Sequence, residues 1–186
     1  MLSWFTSRAQ DRRTAIDFYG AIVAQARQPA FFTRYGVVDS PEGRTGVIIL
    51  LLFPLLDRLQ GGATRARRVA RFLCETFVTD IDDCLREMGV GDLSVPKKVK
   101  RAAQALGERC LAYRRAAGAP EPTKALAHEL ATSIPGLEDD PRAAEALACY
   151  TLGLAADLDE VSPEALLSGP AALPQSVDLA KFAPRH

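Results

Sequence analysis

The 186-residue sequence predicts an all-α fold, and three observations carry that prediction. Apolar residues recur at helical spacing through most of the chain. Several of these stretches open on Ser or Pro and close on Gly, the punctuation of helix starts and stops. No strand-hairpin signal and no internal repeat is present, so neither a sheet nor a solenoid fits. Together these describe a single helical domain of about six to eight helices around a central helix hairpin.

Taken in order, residues 1–12 read as an N-terminal arm, 13–168 as the helical domain and 169–186 as an extended tail rich in proline. Ile16, Tyr19, Ile22, Val23 and Ala26 follow helical spacing until Pro29 stops the helix. Phe31, Phe32 and Tyr35 then sit in a short link ending at Gly36. Ser40-Pro41-Glu42 opens the next helix with a cap residue, a proline and a favourable acid. It runs to Leu59, before Gly61-Gly62, and is apolar nearly all round from Val47 to Leu56, the mark of a central helix. Pro54 inside it predicts a kink. The hairpin follows, with arms at about 64–88 and 95–117. Its first arm carries a stripe of Val69, Phe72, Leu73, Phe77, Ile81, Leu85 and Met88. Gly118 to Pro122 is a break, two further helices are expected at about 123–132 and 141–157, and a short turn follows Pro163.

The stretch from Glu87 to Lys100 is the most informative. Gly89 can adopt the left-handed conformation that closes a helix, Gly91 and Asp92 suit a turn, and Pro96 suits a first helical turn. Yet Lys97, Lys98, Lys100 and Arg101 crowd that helix N-terminus, where the macrodipole disfavours each cation by roughly 0.3–1 kcal/mol. A local rule broken four times marks a segment shaped by something other than its own helix.

The first arm is polarised the wrong way too, with Arg65, Arg67, Arg68 and Arg71 at its start and Asp80, Asp83 and Glu87 towards its end. An antiparallel hairpin would bring Lys97, Lys98 and Arg101 beside Asp80, Asp83 and Glu87, so ion pairs are expected there. The other end would gather the four arginines with Arg109, Arg114 and Arg115 into an uncompensated basic pole. That pole reads as a solvated face, as a surface covered by the acidic residues between 138 and 160, or as a contact for RNA phosphate or lipid headgroups.

No catalytic, cofactor or metal site is expected. Asp80, Asp83 and Glu87 share a face, but the histidine of helical-bundle carboxylate sites is missing. Cys74, Cys84, Cys110 and Cys149 are scattered, none has a histidine nearby in sequence, and they read as reduced core thiols. Tyr19, Phe31 and Phe32 are core by default, and Gly89-x-Gly91 is a turn rather than a phosphate loop. Net charge is zero but divided, with 20 basic and 14 acidic residues up to 136 against 3 and 9 after it. The first ten residues lack the apolar core of a signal peptide, and the longest apolar run is about half of the ~20 residues that span a bilayer. A soluble, cytoplasmic protein is the expectation.

Three blocks resemble the ubiquinol-cytochrome c chaperone family. They are Tyr19-Gly20 with Ile22 to Arg27 and Pro29-x-Phe31-Phe32; Gly36-Val37 leading to Gly43-Arg44; and Asp80-Ile81-Asp82 continuing through Leu85 to Lys100, the most specific of the three. The helix after Gly43-Arg44 departs from the family pattern, carrying Thr45, Gly46 and Leu51 where an aromatic, an acid and a histidine are expected. The resemblance implies an α-helical fold without catalysis or cofactor. It also implies a role in assembling the bc1 complex by binding newly made cytochrome b, near the ribosome exit and with a small helical partner. On that reading Tyr19, Gln25, Arg27, Phe31, Phe32, Arg44 and Leu51 are the client and partner contacts. The basic pole would face a ribosome or the inner-membrane surface, leaving the protein peripheral to that membrane, with no small-molecule substrate. Two other classes compete: an RNA- or membrane-surface-binding module acting through the pole, and a helical enzyme built on the acidic ridge or Cys84.

Overall fold

The apolar run from Val47 to Leu56 dictates the architecture, because a helix with no polar face must be surrounded. The computed structural model describes residues 2–170, with side chains from Ser7 onward. Among these residues there are eight helices: α1 (Leu2–Ala26), α2 (Ala30–Thr33), α3 (Pro41–Gln60), α4 (Thr64–Glu87), α5 (Val95–Ala117), α6 (Pro122–Ser133), α7 (Pro141–Asp159) and α8 (Pro163–Leu166). Helix α3 packs against α1, α4, α5 and α7 and buries every residue from Ile49 to Leu56. Each Leu so removed from water contributes roughly 1.5–3 kcal/mol. The helix runs through Pro54 without a break.

The expected starts are met in detail. The Ser40 hydroxyl accepts the Gly43 N–H, and Pro41 takes the first helical position. A Cβ at residue 43 would overlap the Val38 carbonyl oxygen, so Gly43 is what lets the segment before α3 cross its first turn. Val38 donates its N–H to the Pro135 carbonyl at 2.9 Å, which ties that segment to the link between α6 and α7. The segment read as an arm is helical from Leu2. Asp11 belongs with it, because Asp11, Ala15, Phe18, Ile22 and Ala26 form one buried row. Of the expected tail, residues 171–186 lie outside the described residues.

Helices α1 and α4 run parallel, since Asp11 meets Arg65 and Arg68 near one end and Tyr19 meets Asp80 near the other. Helix α5 returns along α4, α6 packs on α5, and α7 packs on both α6 and α3. Tyr113 of α5 stacks edge-on against Phe53 with centroids 5.7 Å apart, while its hydroxyl reaches Ser133 of α6 at 2.7 Å. Arg58 of α3 donates to the carbonyls of Leu158, Asp159 and Val161, satisfying orphan acceptors at the end of α7. One core therefore joins all the long helices.

Candidate functional site

Local chemistry builds the tip of the α4–α5 hairpin. Gly89 has φ +73°, its N–H bonds the Arg86 carbonyl and the Val90 N–H bonds the Leu85 carbonyl, the two hydrogen bonds of a Schellman cap. Arg86 then ties the link down. It donates to Asp82 one turn earlier at 2.7 Å and to Asp92 within the link at 3.1 Å. The Ser94 N–H closes a turn onto the Gly91 carbonyl.

This tip is thinly covered. In α4 no residue beyond Phe77 is fully buried, and in α5 none between Val95 and Leu106. Val95 is sealed from solvent but lies apart from the main core. Beside it Leu93 is 99% exposed and Met88 55%. Lys97, Lys98, Lys100 and Arg101 are all exposed around the same turn.

The ion pairs expected between the hairpin arms do not form. Asp80 accepts the Tyr19 hydroxyl at 2.8 Å, because its edge of the α4 stripe packs on α1 rather than α5. Asp82 and Asp92 are taken by Arg86. Asp83, Glu87, Lys97, Lys98 and Arg101 make no ion pair among the described residues. Burial and the neighbouring Asp80 together raise the Tyr19 phenol above its ordinary range, so it stays a donor.

At the other end the expected uncompensated pole is compensated in part. Arg65 and Arg68 close on the two oxygens of Asp11 at 2.7 and 2.6 Å, and the Asp11 side chain is 0% exposed. Asp11 so supplies the acid that the first turn of α4 lacks. Arg114 pairs with Asp57 and donates to Gln60 at 2.8 Å, and Arg71 approaches Glu75 at 3.4 Å. Arg67, Arg109 and Arg115 make no ion pair among the described residues. Among the described residues no acid between 138 and 160 forms an ion pair with these arginines; Asp140 caps α7, Glu138 binds the Gly136 N–H and Asp159 approaches Arg58 at 3.9 Å.

The expected client residues divide. Tyr19, Phe31 and Leu51 are buried, Phe31 packing between Tyr35 and Tyr150, so none of the three offers surface to another chain. The helix from Gly43 to Leu59 is likewise core rather than client surface, because being central and being exposed exclude each other. Gln25 and Phe32 are half-buried, Gln25 donating to the Tyr150 hydroxyl at 3.3 Å. Arg27 and Arg44 are exposed, and Arg44 holds Asp39 at 2.6 Å.

Cys84 and Cys110 are not activated nucleophiles. Cys84 is exposed, but partial burial and the carboxylates of Asp80, Glu87 and Asp83 raise its thiol pKa, against Arg27. A thiol kept protonated is a poor nucleophile. Burial pushes Cys110 up to about 12. Among the described residues no group of three or more His, Cys, Asp or Glu side chains converges to hold a metal. No helix among them is long and apolar enough to cross a membrane.

Sequence reasoning missed the Asp11 clamp, the tie from Tyr19 to Asp80 and the exposure of Leu93. Asp11 left a signal, since it continues the helical row of Ala15, Phe18, Ile22 and Ala26 and so points into the core. The other two depend on how α1 lies along α4, which no local pattern encodes.

A family model for the ubiquinol-cytochrome C chaperone matches residues 33–173, taking in the hairpin and every helix after it. The crystal structure of the Cbp3 homolog from Brucella abortus is similar with a TM-score of 0.82 and 31% identity, over 97% of this chain and 98% of that one. No match was found among curated proteins. The chain belongs to the ubiquinol-cytochrome c chaperone family.

Proposed function

We propose that this protein is a non-catalytic assembly factor of the ubiquinol-cytochrome c reductase complex, that it binds newly made cytochrome b, and that the hairpin tip is its client surface. One observation carries the last step: a leucine 99% exposed inside the block most specific to the family, on the link that the Gly89 cap and the Arg86–Asp92 contact shape. Exposed apolar side chains grouped on one turn offer a partner a surface to cover. The exposed Met88 beside it widens the apolar patch, and the cations at 97, 98, 100 and 101 suit a client still at an anionic membrane surface.

Membership of the family supports the assembly role. The protonated Cys84 and the engaged Asp80 support binding over catalysis. Of the contacts the family resemblance implies, Gln25, Arg27, Phe32 and Arg44 keep some exposure and remain candidates for a helical partner protein. The protein then works in the cytoplasm, peripheral to the inner membrane. Deleting the gene should lower the assembled bc1 complex while other respiratory complexes stay at normal levels. Unchanged bc1 in the deletion strain would sink the assignment.

A further inference from the structure

Helix α5 packs mainly against α3, α4 and α6, and its remaining side is open to solvent. At about 100° per residue, Lys97, Lys98, Lys100, Arg101, Leu111 and Arg115 fall within an arc of roughly 160°, across the helix from the buried Val95, Leu106 and Tyr113. All six are exposed. Leu111, 53% exposed, is a large apolar side chain set among the charges.

The charge on this face is not cancelled. None of Lys97, Lys98, Lys100, Arg101 and Arg115 makes an ion pair among the described residues, whereas the neighbouring Arg114 is held by Asp57. Glu108 is the single acid of α5. The acids of the flanking helices are engaged or turned elsewhere: Asp80 accepts from Tyr19 of α1, Asp83 and Glu87 stand around Cys84 within electrostatic reach of Arg27, Asp82 is held by Arg86, and Glu121 by Lys124. The outward side of α5 therefore stays positive along its length.

We propose that this face of α5 lies along an anionic lipid surface. From Lys97 to Arg115 it runs about 27 Å, on the outer side of a helix rather than in a cleft, and so it fits a flat partner. Lipid headgroups present many anions in one plane, and every cation held near them adds to the attraction. The long stems of Lys and Arg, with an exposed leucine between them, suit the boundary of headgroups and acyl chains. RNA fits less well, because the face offers no aromatic ring on which a base could stack. The inference rests on the reading of the protein as peripheral to a membrane, and adds the surface and the orientation. With α5 against the lipid, Met88 and Leu93 stand at one end of the contact, within reach of a client held in the bilayer.

The test uses the full chain, vesicles of phosphatidylcholine alone, and vesicles of phosphatidylcholine mixed with phosphatidylglycerol. The native chain should co-sediment with the mixed vesicles and not with phosphatidylcholine alone, and binding should fall as salt rises. Two variants probe the two ends of the face, with urea unfolding as the check that each is folded. Lys97→Gln with Arg101→Gln should bind the mixed vesicles about thirtyfold more weakly, the product of two cation contacts. Leu111→Ser with Arg115→Gln should bind them about tenfold more weakly. A loss confined to the first variant would put the contact at the hairpin tip alone and overturn the proposal. No binding to mixed vesicles at low salt overturns it, as does equal binding by the native chain and both folded variants, or binding of single-stranded RNA in place of vesicles. The vesicles contain no protein, so failure here leaves the assembly role to be judged by the deletion strain.

Discussion

At the base of the α4–α5 hairpin Arg65 and Arg68 close on Asp11, and Arg114 on Asp57; at its tip Lys97, Lys98 and Arg101 meet no carboxylate. The apolar residues differ in the same sense. Val69 and Leu73 in the half of α4 towards the base are sealed, whereas Met88 and Leu93 at the tip face water. Both ends place cations at a helix N-terminus, against the macrodipole. Only the base repairs this, with an acid borrowed from α1. The difference teaches that breaking a local rule is not itself a functional signal: at the base tertiary structure supplies the missing partner, and at the tip nothing within the described residues does.

The largest effect expected from this contrast lies at the base. Replacing Arg65 and Arg68 together with glutamine leaves the Asp11 carboxylate buried without a cation, which should destabilise the fold by about 3–5 kcal/mol in urea denaturation. Replacing Lys97 and Lys98 with glutamine should change stability little, or raise it slightly, because each cation opposes the dipole of α5. A loss at the tip as large as that at the base would show that the tip cations are structural after all.

The second effect is smaller and concerns the shape of the tip. Gly89→Ala forces a side chain into the left-handed region and should cost about 1 kcal/mol. Nothing lies within 4 Å of the position a Cβ would take, so strain rather than collision sets that figure. Hydrogen exchange should report the loss at the Val90 amide, whose bond to the Leu85 carbonyl closes the cap, while the α3 amides stay protected.

Helix number, the capped start of α3 and the hairpin itself were legible in the sequence, because each rests on contacts within a few residues: Ser40 to Gly43, Gly89 to Arg86, the apolar girth of Val47 to Leu56. The ionic arrangement was legible only in part and came out reversed. Antiparallel geometry alone suggested that Asp80, Asp83 and Glu87 would face Lys97, Lys98 and Arg101. It left out α1, which lies parallel to α4, claims Asp80 through Tyr19 and brings Asp11 to Arg65 and Arg68. Tyr19, Phe31 and Leu51 were candidates both for the core and for a client contact, and packing against α4, α7 and α3's own neighbours settled them in the core.

The smallest expected effect on stability accompanies the largest on function, and it tests the central claim most directly. Met88→Ser with Leu93→Ser removes two exposed side chains and should shift unfolding by no more than about 0.5 kcal/mol. The measurement is the amount of cytochrome b recovered with the tagged protein from membrane extract, compared with the native chain at equal expression. The account predicts an intact fold and loss of most of the recovered cytochrome b. Undiminished recovery, with the fold equally intact, would contradict the assignment of the tip as the client surface.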